Sequence, residues 1–415
     1  MYDASWYDAS WRAPALVLLL ACTLIDGPVW ASHLIVLAND GKEPHRDGSY
    51  RVLASPQPDS VLVLDASTFP PRVVAEIPNV PNSNSGPPQS LCLTPDERLV
   101  LVSAPNHIDP SDPTKLIADD YVSVVDLEAS PPRVIDKVMV GKRPLGIACS
   151  PTGRVALVAD WADATVSVLT IDHKHVTRTA AVKVGHPEGK TGLTGVAISP
   201  DGQWALATKR FEDSVALLRI DGTQVTYIAE RDVFEVRSGP RTGDIAVGSN
   251  PRAVAMSPDG RWAAVANIGL NSGDTDSVSI IDMTLTPPQG VNIFPVGQRP
   301  EAVAISPDGH WLAVGVMHGS NKRLDSKFRH EYSKVLLFAM QDTAATKVGE
   351  ARGGKNQQGV IFMPDGQYIL GQNYEEGELA AYQVTPTGLQ DTGWRLPITG
   401  AFPAAITSAP APLPR

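Results

Sequence analysis

Short apolar runs separated by clusters of Pro, Gly, Asp, Asn and Ser recur from near residue 33 to residue 410, and their lengths and β-branched content predict strands. Typical runs are "AVAIS", "WLAVGV" and "SVSIID". A four-residue turn stands between the first and second run of each group: "TPDE" (94–97), "SPTG" (150–153), "SPDG" (199–202, 257–260 and 306–309) and "MPDG" (363–366). Pro at its second position presets φ, Asp at the third tolerates the bridge region, and Gly at the fourth accepts positive φ into the next strand. Successive turn prolines are 56, 49, 58, 49 and 57 residues apart, a unit of about 49 residues with insertions that holds four short strands.

Second strands begin at seven places, near His33, Leu99, Val155, Trp204, Trp262, Trp311 and Tyr368. Third strands also begin at seven, near Ser60, Tyr121, Thr165, Ser214, Ser277, Lys334 and Glu378. Only six first strands lead into a turn. The C-terminal "FPAAITSAP" (402–410) matches "RPEAVAISP" (299–307), yet no second strand follows it; the strand from His33 supplies that partner. The pattern predicts an all-β, seven-bladed β-propeller of four-stranded antiparallel blades, closed by the C-terminal strand pairing with the N-terminal blade. Small residues in the first strands, among them Gly146, Ala148, Gly195, Ala253 and Ala302, suit backbones crowded around an axis. Trp204, Trp262 and Trp311 share one repeat position, which assigns them to packing between blades.

The stretches "GSNPRAVAMSPDGRWAAVAN" with "DSVSIID", "GQRPEAVAISPDGHWLAV" and "GKRPLGIACSPTGRVALVADWADATVSVLTID" resemble the YVTN-repeat β-propellers, which are related to lactonase-like seven-bladed propellers. The resemblance spans residues 33–410. It implies the fold closely and function loosely, because the family includes enzymes, surface-layer proteins and binding scaffolds. The paired G-H and W-D signals of WD repeats are absent.

Antiparallel order divides the loops between two faces. One face carries the short turns. The other collects the long insertions: 39–59, 105–120, 186–194, 236–250, 268–276 and 318–333, and one-sided insertions in a repeat protein mark its binding face. That face is ionic. Arg143 and Arg299 precede the repeat proline and Arg252 follows it, so all three are expected at the channel mouth with Glu301, where guanidiniums suit a carboxylate or phosphate. His107, His318 and Lys355 join them as candidate ligand-binding residues, with His45, Arg210, Arg241 and Lys322 among the further rim charges. Ordinary solvated rim charges paired with neighbouring acids are the competing account of each.

Two functional readings follow. The first is an exported scaffold that binds a protein or a small anionic ligand through the long-loop face. The second, which the resemblance implies, is a lactonase-like hydrolase or isomerase acting on a small anionic lactone, with Arg252 stabilising an oxyanion and Glu301 and His186 as acid–base candidates. The chain departs from the family at Ala253, where such enzymes often carry His, and at Ile268, where they often carry Glu. No nucleophile motif of the G-x-S-x-G type occurs.

A net charge of −10 argues against nucleic acid as a partner. An apolar segment from Ala13 to Ile25 followed by Val29-Trp30-Ala31 reads as a signal peptide over residues 1–31, leaving one propeller domain over 32–415, with no membrane span after cleavage, in the periplasm or outside the cell. Lipidation at Cys22 is the alternative to free release. Cys92 and Cys149 differ by one in their offset from the following proline, which assigns them to opposite faces and argues against a disulfide. No cofactor and no metal set is called for: "NSGDTDS" (271–277) and "HIDPSDP" (107–113) offer oxygens for calcium, but Asp, Asn and Ser are equally the residues of turns.

Overall fold

The computed structural model describes residues 33–83, 85–228 and 243–411. The expected leader, Cys22 and Arg241 lie outside the described residues. Among the described residues, seven sheets of four antiparallel strands stand around a central axis. We number the blades from the N-terminus. The strands follow sequence order from the axis outward in blades two to seven, and the C-terminal strand is innermost in blade one. Blade four carries a short fifth strand, and a separate two-stranded hairpin pairs His45–Arg46 with Ser49–Tyr50. Blade one is closed as the repeat count requires, Phe402–Ser408 pairing with Leu34–Asp40 in a register that sets Leu37 opposite Ile406. The inner strands of blades two to seven are Leu91–Leu93, Pro144–Cys149, Leu193–Ile198, Pro251–Met256, Pro300–Ile305 and Gln357–Phe362. Among the described residues no helix is long and apolar enough to cross a membrane.

Burial follows position in the blade. The second strand of blade five, Trp262–Asn267, is buried at every residue, whereas the outer strand of blade two, Arg133–Met139, is buried only at Val138. The apolar clusters run between blades: Leu99, Leu101 and Val124 of blade two pack with Ala156, Val158 and Leu169 of blade three. Each buried Val or Leu contributes about 1.5–3 kcal/mol, and a single blade has no second face to bury it against.

The short turns behave as their residues dictate. Gly153, Gly202, Gly260, Gly309 and Gly366 have φ of 68° to 74°, and Glu97, which replaces the glycine in the first copy, is held at 57°. The serine and aspartate of the turn bond each other, as Ser257 Oγ does to Asp259 Oδ1 at 2.6 Å, and that serine also accepts from the Trp262 amide at 3.1 Å.

Three sequence expectations are corrected. Cys92 and Cys149 form a disulfide, with Cα atoms 5.6 Å apart. They do lie on opposite faces of equivalent inner strands. In a ring of blades, the facing surfaces of two neighbours are opposite faces of their own sheets, so the one-residue offset brings the thiols together. The segment 105–120 is largely not a loop, because the second and third strands of blade two extend to Leu99–Asp109 and Asp112–Asp126 as one long hairpin. In blade four the segment 236–250 is not wholly a long-face loop either. Its residues 236–242 lie outside the described residues, and Ile245–Ala246 pairs with Ser214 and Val215 beside the third strand, Ser214–Asp221.

Candidate functional site

A left-handed corner precedes five of the inner strands: Gly192 has φ 64°, and the four non-glycine residues Arg143, Asn250, Arg299 and Asn356 have φ between 54° and 56°. The corner aims each carbonyl at the end of the second strand: Ile268 N–H donates to Asn250 O at 3.1 Å and Met317 N–H to Arg299 O at 3.0 Å. In three of the four a proline follows, which disfavours the right-handed helical alternative at this position.

Inward from two such corners, Arg252 and Glu301 occupy the second positions of the inner strands of blades five and six. Glu301 is wholly buried and takes two guanidiniums, an ion pair with Arg252 and a bond from Arg299 Nε at 3.3 Å. Arg252 Nη2 also donates to the Gly86 carbonyl at 2.5 Å, and Gln358 Nε2 donates to the same oxygen at 3.3 Å. From the same segment as Gly86, Gln89 bonds Val254 in both directions, at 2.7 and 3.3 Å. Blades two and five are on opposite sides of the ring, so this segment crosses the axis and floors the mouth. On the short-turn face opens a cavity of about 410 Å³, lined mainly by apolar inner-strand residues and turn prolines such as Pro151, Pro200 and Pro258. The converging charges are on the other face, and the site is placed there.

The insertion of blade one caps that face. Asp47 and Gly48, at φ 50° and 72°, form the two-residue turn of a small hairpin that pairs His45 with Tyr50. A Cβ on Gly48 would come within 2.3 Å of the Arg323 backbone nitrogen, so only glycine allows this hairpin to rest on the blade-six insertion. Arg329 reaches Asp47 at 3.3 Å from that insertion. The base of the hairpin is anchored by Tyr374, whose hydroxyl donates to the Glu43 carbonyl at 2.7 Å. Lys42 is buried against Asp40 at 3.2 Å and Asp59 at 2.7 Å and also donates to the Asn82 carbonyl.

Tyr50 is 48% exposed, yet burial raises its hydroxyl pKa while Arg299, Arg252, Glu301 and Glu43 all act on it. The ring is thus half open to solvent, with charged groups of blades five and six and of its own insertion acting on its hydroxyl. His45 packs on Tyr50 with ring centres 4.2 Å apart and accepts at Nδ1 from Asn356 Nδ2 at 2.6 Å. Burial and then Arg299 hold its pKa down to about 4, so it is neutral at pH 7. Arg210, bonded through Nε to Asn250 Oδ1 at 3.2 Å, is lowered to about 10 by burial and by Arg252 and Arg299. Lys322 is lowered by burial and Arg299. The four cations Arg210, Arg252, Arg299 and Lys322 outnumber the carboxylates of this cluster, Glu301, Asp276 and the partly ionised Glu43. Such a mouth favours organic anions.

Of the residues singled out from the sequence, the structure brings Arg252, Arg299 and Glu301 together. The others stand apart in their own contacts: Arg143 over Trp161 at 4.9 Å, His107 on Asp119 at 2.8 Å, His318 stacked on His330 at 4.1 Å, and Lys355 on Glu331 at 3.2 Å. His186 is exposed, its amide donating to Thr191 Oγ1 at 2.6 Å. Asp109 and Asp112 accept from Ser111 and Thr114, the turn-forming use of those residues. Sequence reasoning missed Glu43 and Tyr50. The signal was present in "HRDGSY", where Asp-Gly between short flanks marks a hairpin inside an insertion.

These features define a seven-bladed propeller with a capped, cationic mouth at one end of its axis. Residues 137–267 match the family model described as Lactonase, 7-bladed beta-propeller, so the resemblance read from the repeats holds. The solved structures it is similar to include a putative 6-phosphogluconolactonase from Bacteroides uniformis, at 18% identity and TM-score 0.63 over 90% of this chain and 99% of that one. A second, from Bacteroides fragilis, shows 17% identity and TM-score 0.63 over 90% and 98%. A periplasmic gluconolactonase from Pseudomonas aeruginosa shows 20% identity and TM-score 0.60 over 91% and 99%. At such identities the likeness is one of fold. No curated protein matches the sequence.

Proposed function

We propose that the long-loop mouth binds a small anionic sugar lactone and that the chain is a lactonase-type hydrolase. The observation that carries this is the set of three guanidiniums, Arg210, Arg252 and Arg299, around one buried carboxylate with Tyr50 standing among them. Arg252 is committed to Glu301 and Gly86, so its part is to hold the mouth in shape. Arg299 and Arg210 retain donors for the carboxylate or phosphate of a substrate, and the Tyr50 hydroxyl is placed to donate to the oxygen of the attacked carbonyl. Ring opening consumes one water and yields a hydroxy acid, whose carboxylate the same cations accept. An oxidising compartment, periplasmic or extracellular, fits the Cys92–Cys149 disulfide.

The test is acid release from glucono-1,5-lactone and its 6-phosphate, above the spontaneous rate, by the folded protein. Arg299→Gln and Arg210→Gln should each raise KM for the 6-phosphate, which carries the anion, about tenfold or more while changing kcat less. A folded protein that neither accelerates hydrolysis nor binds gluconate or its 6-phosphate overturns the proposal.

The scaffold reading keeps one observation of its own. Phe211, Leu270 and Leu324, at 50%, 78% and 70% exposure, stand on loops of the same face, the last two on insertions. Apolar side chains so exposed are suited to a protein partner. Loss of partner capture on changing all three to Ser, with lactone turnover intact, would separate that role from the enzymatic one.

A further inference from the structure

We infer that Glu43 is the general base of this site: its carboxylate takes a proton from the water that attacks the lactone carbonyl and returns it to the ring oxygen as the ring opens. The inference rests on the lactonase reading and adds a residue that neither the repeat nor the family resemblance points to.

Glu43 is 8% exposed, and among the described residues its buried Oε2 has no hydrogen-bond partner. A buried carboxylate oxygen left unpaired is costly, because burial removes water that nothing replaces. Its surroundings are held firmly while the oxygen itself is left free. The Glu43 amide donates to Asp40 Oδ1 at 3.2 Å, its carbonyl accepts from Tyr374, and Lys42 beside it is committed to Asp40 and Asp59. The carboxyl acts through space on the Tyr50 hydroxyl, as do Arg299 and Arg252. Base, hydroxyl donor and anion-binding cations therefore meet around Tyr50, whose hairpin starts two residues beyond Glu43.

The groups facing Glu43 are Asp40 and Lys42 from the end of the blade-one strand, Tyr50 from the hairpin and Tyr374 from blade seven. Burial first, then Asp40, raise its pKa to about 7, with Lys42 opposing. A base with this proton affinity is half ionised at neutral pH and also returns the proton readily.

The step balances on these groups. Glu43 accepts one proton from water as the oxygen bonds to the carbonyl carbon, and the carbonyl electron pair moves onto oxygen, stabilised by the Tyr50 O–H. Collapse of that intermediate breaks the bond from carbon to the ring oxygen. Glu43 returns its proton to the ring oxygen, and the new carboxylic acid loses its proton to solvent.

Glu43→Gln keeps size and neutral hydrogen bonding and removes the base. The variant should lower kcat by about a hundredfold or more, with gluconate affinity by calorimetry and the KM for glucono-1,5-lactone within about threefold of wild type. The acid limb of kcat/KM near pH 7 should vanish, and NMR of isotope-labelled glutamate should lose one carboxyl that titrates near neutrality. Wild-type kcat with the limb intact in Glu43→Gln overturns this inference and leaves the lactonase reading standing. A wild-type protein that binds no gluconate and opens no lactone overturns that reading, and the base with it. Absence of any near-neutral glutamate in wild type overturns the base even where hydrolysis is found.

Discussion

Replacing Glu301 by Gln removes the carboxylate that Arg252 and Arg299 share, and the cost follows from where each guanidinium is able to go. Arg252 is 6% exposed and fixed by Gly86, so it stays buried with its charge uncompensated; the Arg299 side chain is 15% exposed and turns toward the mouth more easily. Breaking one partner of a buried ion pair costs about 3–5 kcal/mol. A propeller of this size unfolds with an entropy of about 0.8 kcal/mol/K, so the melting midpoint should fall by about 4–6 °C. The double variant Arg252→Met with Glu301→Leu replaces the pair by apolar groups of similar volume and should recover most of that loss. Differential scanning calorimetry of wild type, Glu301→Gln, Arg252→Met, Glu301→Leu and the double measures the coupling directly. A single variant within about 1 °C of wild type, or a double variant no better than either single, refutes the account of Glu301 as the structural centre of the mouth.

Glu43 makes stability depend on pH in the opposite sense to a salt-bridged acid. Its pKa is about 7 in the folded protein against an ordinary 4.5, so the native state keeps a proton that the unfolded chain has lost. Stability is therefore lost as pH rises through 7, by about 2–3 kcal/mol between pH 5 and pH 8, and urea titrations of Glu43→Gln should lack this part of the decline. Equal pH dependence in the two proteins would contradict it. Changing Cys92 and Cys149 both to Ser opens a loop of sequence separation 57, which should lower stability by about 4 kcal/mol and the midpoint by about 5 °C; an unchanged midpoint would show that the bridge constrains little. Gly260→Ala, at φ 71°, should cost about 1–2 kcal/mol in the same calorimetry, with Gly260→Asn costing less. Equal losses in the two variants would put the cost elsewhere than in φ.

The fold was legible because a propeller repeats one local problem. Six of the seven blades turn tightly between their first two strands, and the Pro-Asp-Gly run and its variants that solve this show in sequence as a regular spacing. The closure at Phe402–Ser408 could be read from the same regularity, since an unpaired inner strand at one end and an unpaired second strand at the other leave only one arrangement without open edges. The disulfide was misread because facing was judged within a sheet, whereas Cys92 and Cys149 meet between sheets. Residues 105–120 were taken for a loop because polar "HIDPSDPTK" lacks the alternation of a half-buried strand. The Lys115 side chain is 70% exposed there, so the hairpin extends into solvent and no core face shapes its pattern.

The site divides along the same line between repeated and unrepeated sequence. Arg252, Arg299 and Glu301 stand at positions the repeat defines, so their convergence on the axis was readable once the inner strands were placed. Glu43 and Tyr50 come from an insertion that blade one alone contains, and what brings them over the mouth is contact with other blades: Tyr374 from blade seven, Asn356 at its inner corner, and Arg323 and Arg329 from blade six. No periodicity records such contacts. The consequence is mechanical as well as interpretive. Because blades six and seven both hold the hairpin, loosening it at one point should move Tyr50 without melting the ring. Asp47→Asn keeps a turn-forming residue but removes the charge that Arg329 pairs with, leaving the Arg329 bonds to Glu331 and the Lys322 carbonyl in place. It is therefore expected to raise KM for a lactone while the melting midpoint stays within about 2 °C of wild type. A variant with wild-type KM would mean that the latch does not position the hairpin, and a large fall in midpoint would mean that the hairpin belongs to the ring's core rather than to its mouth.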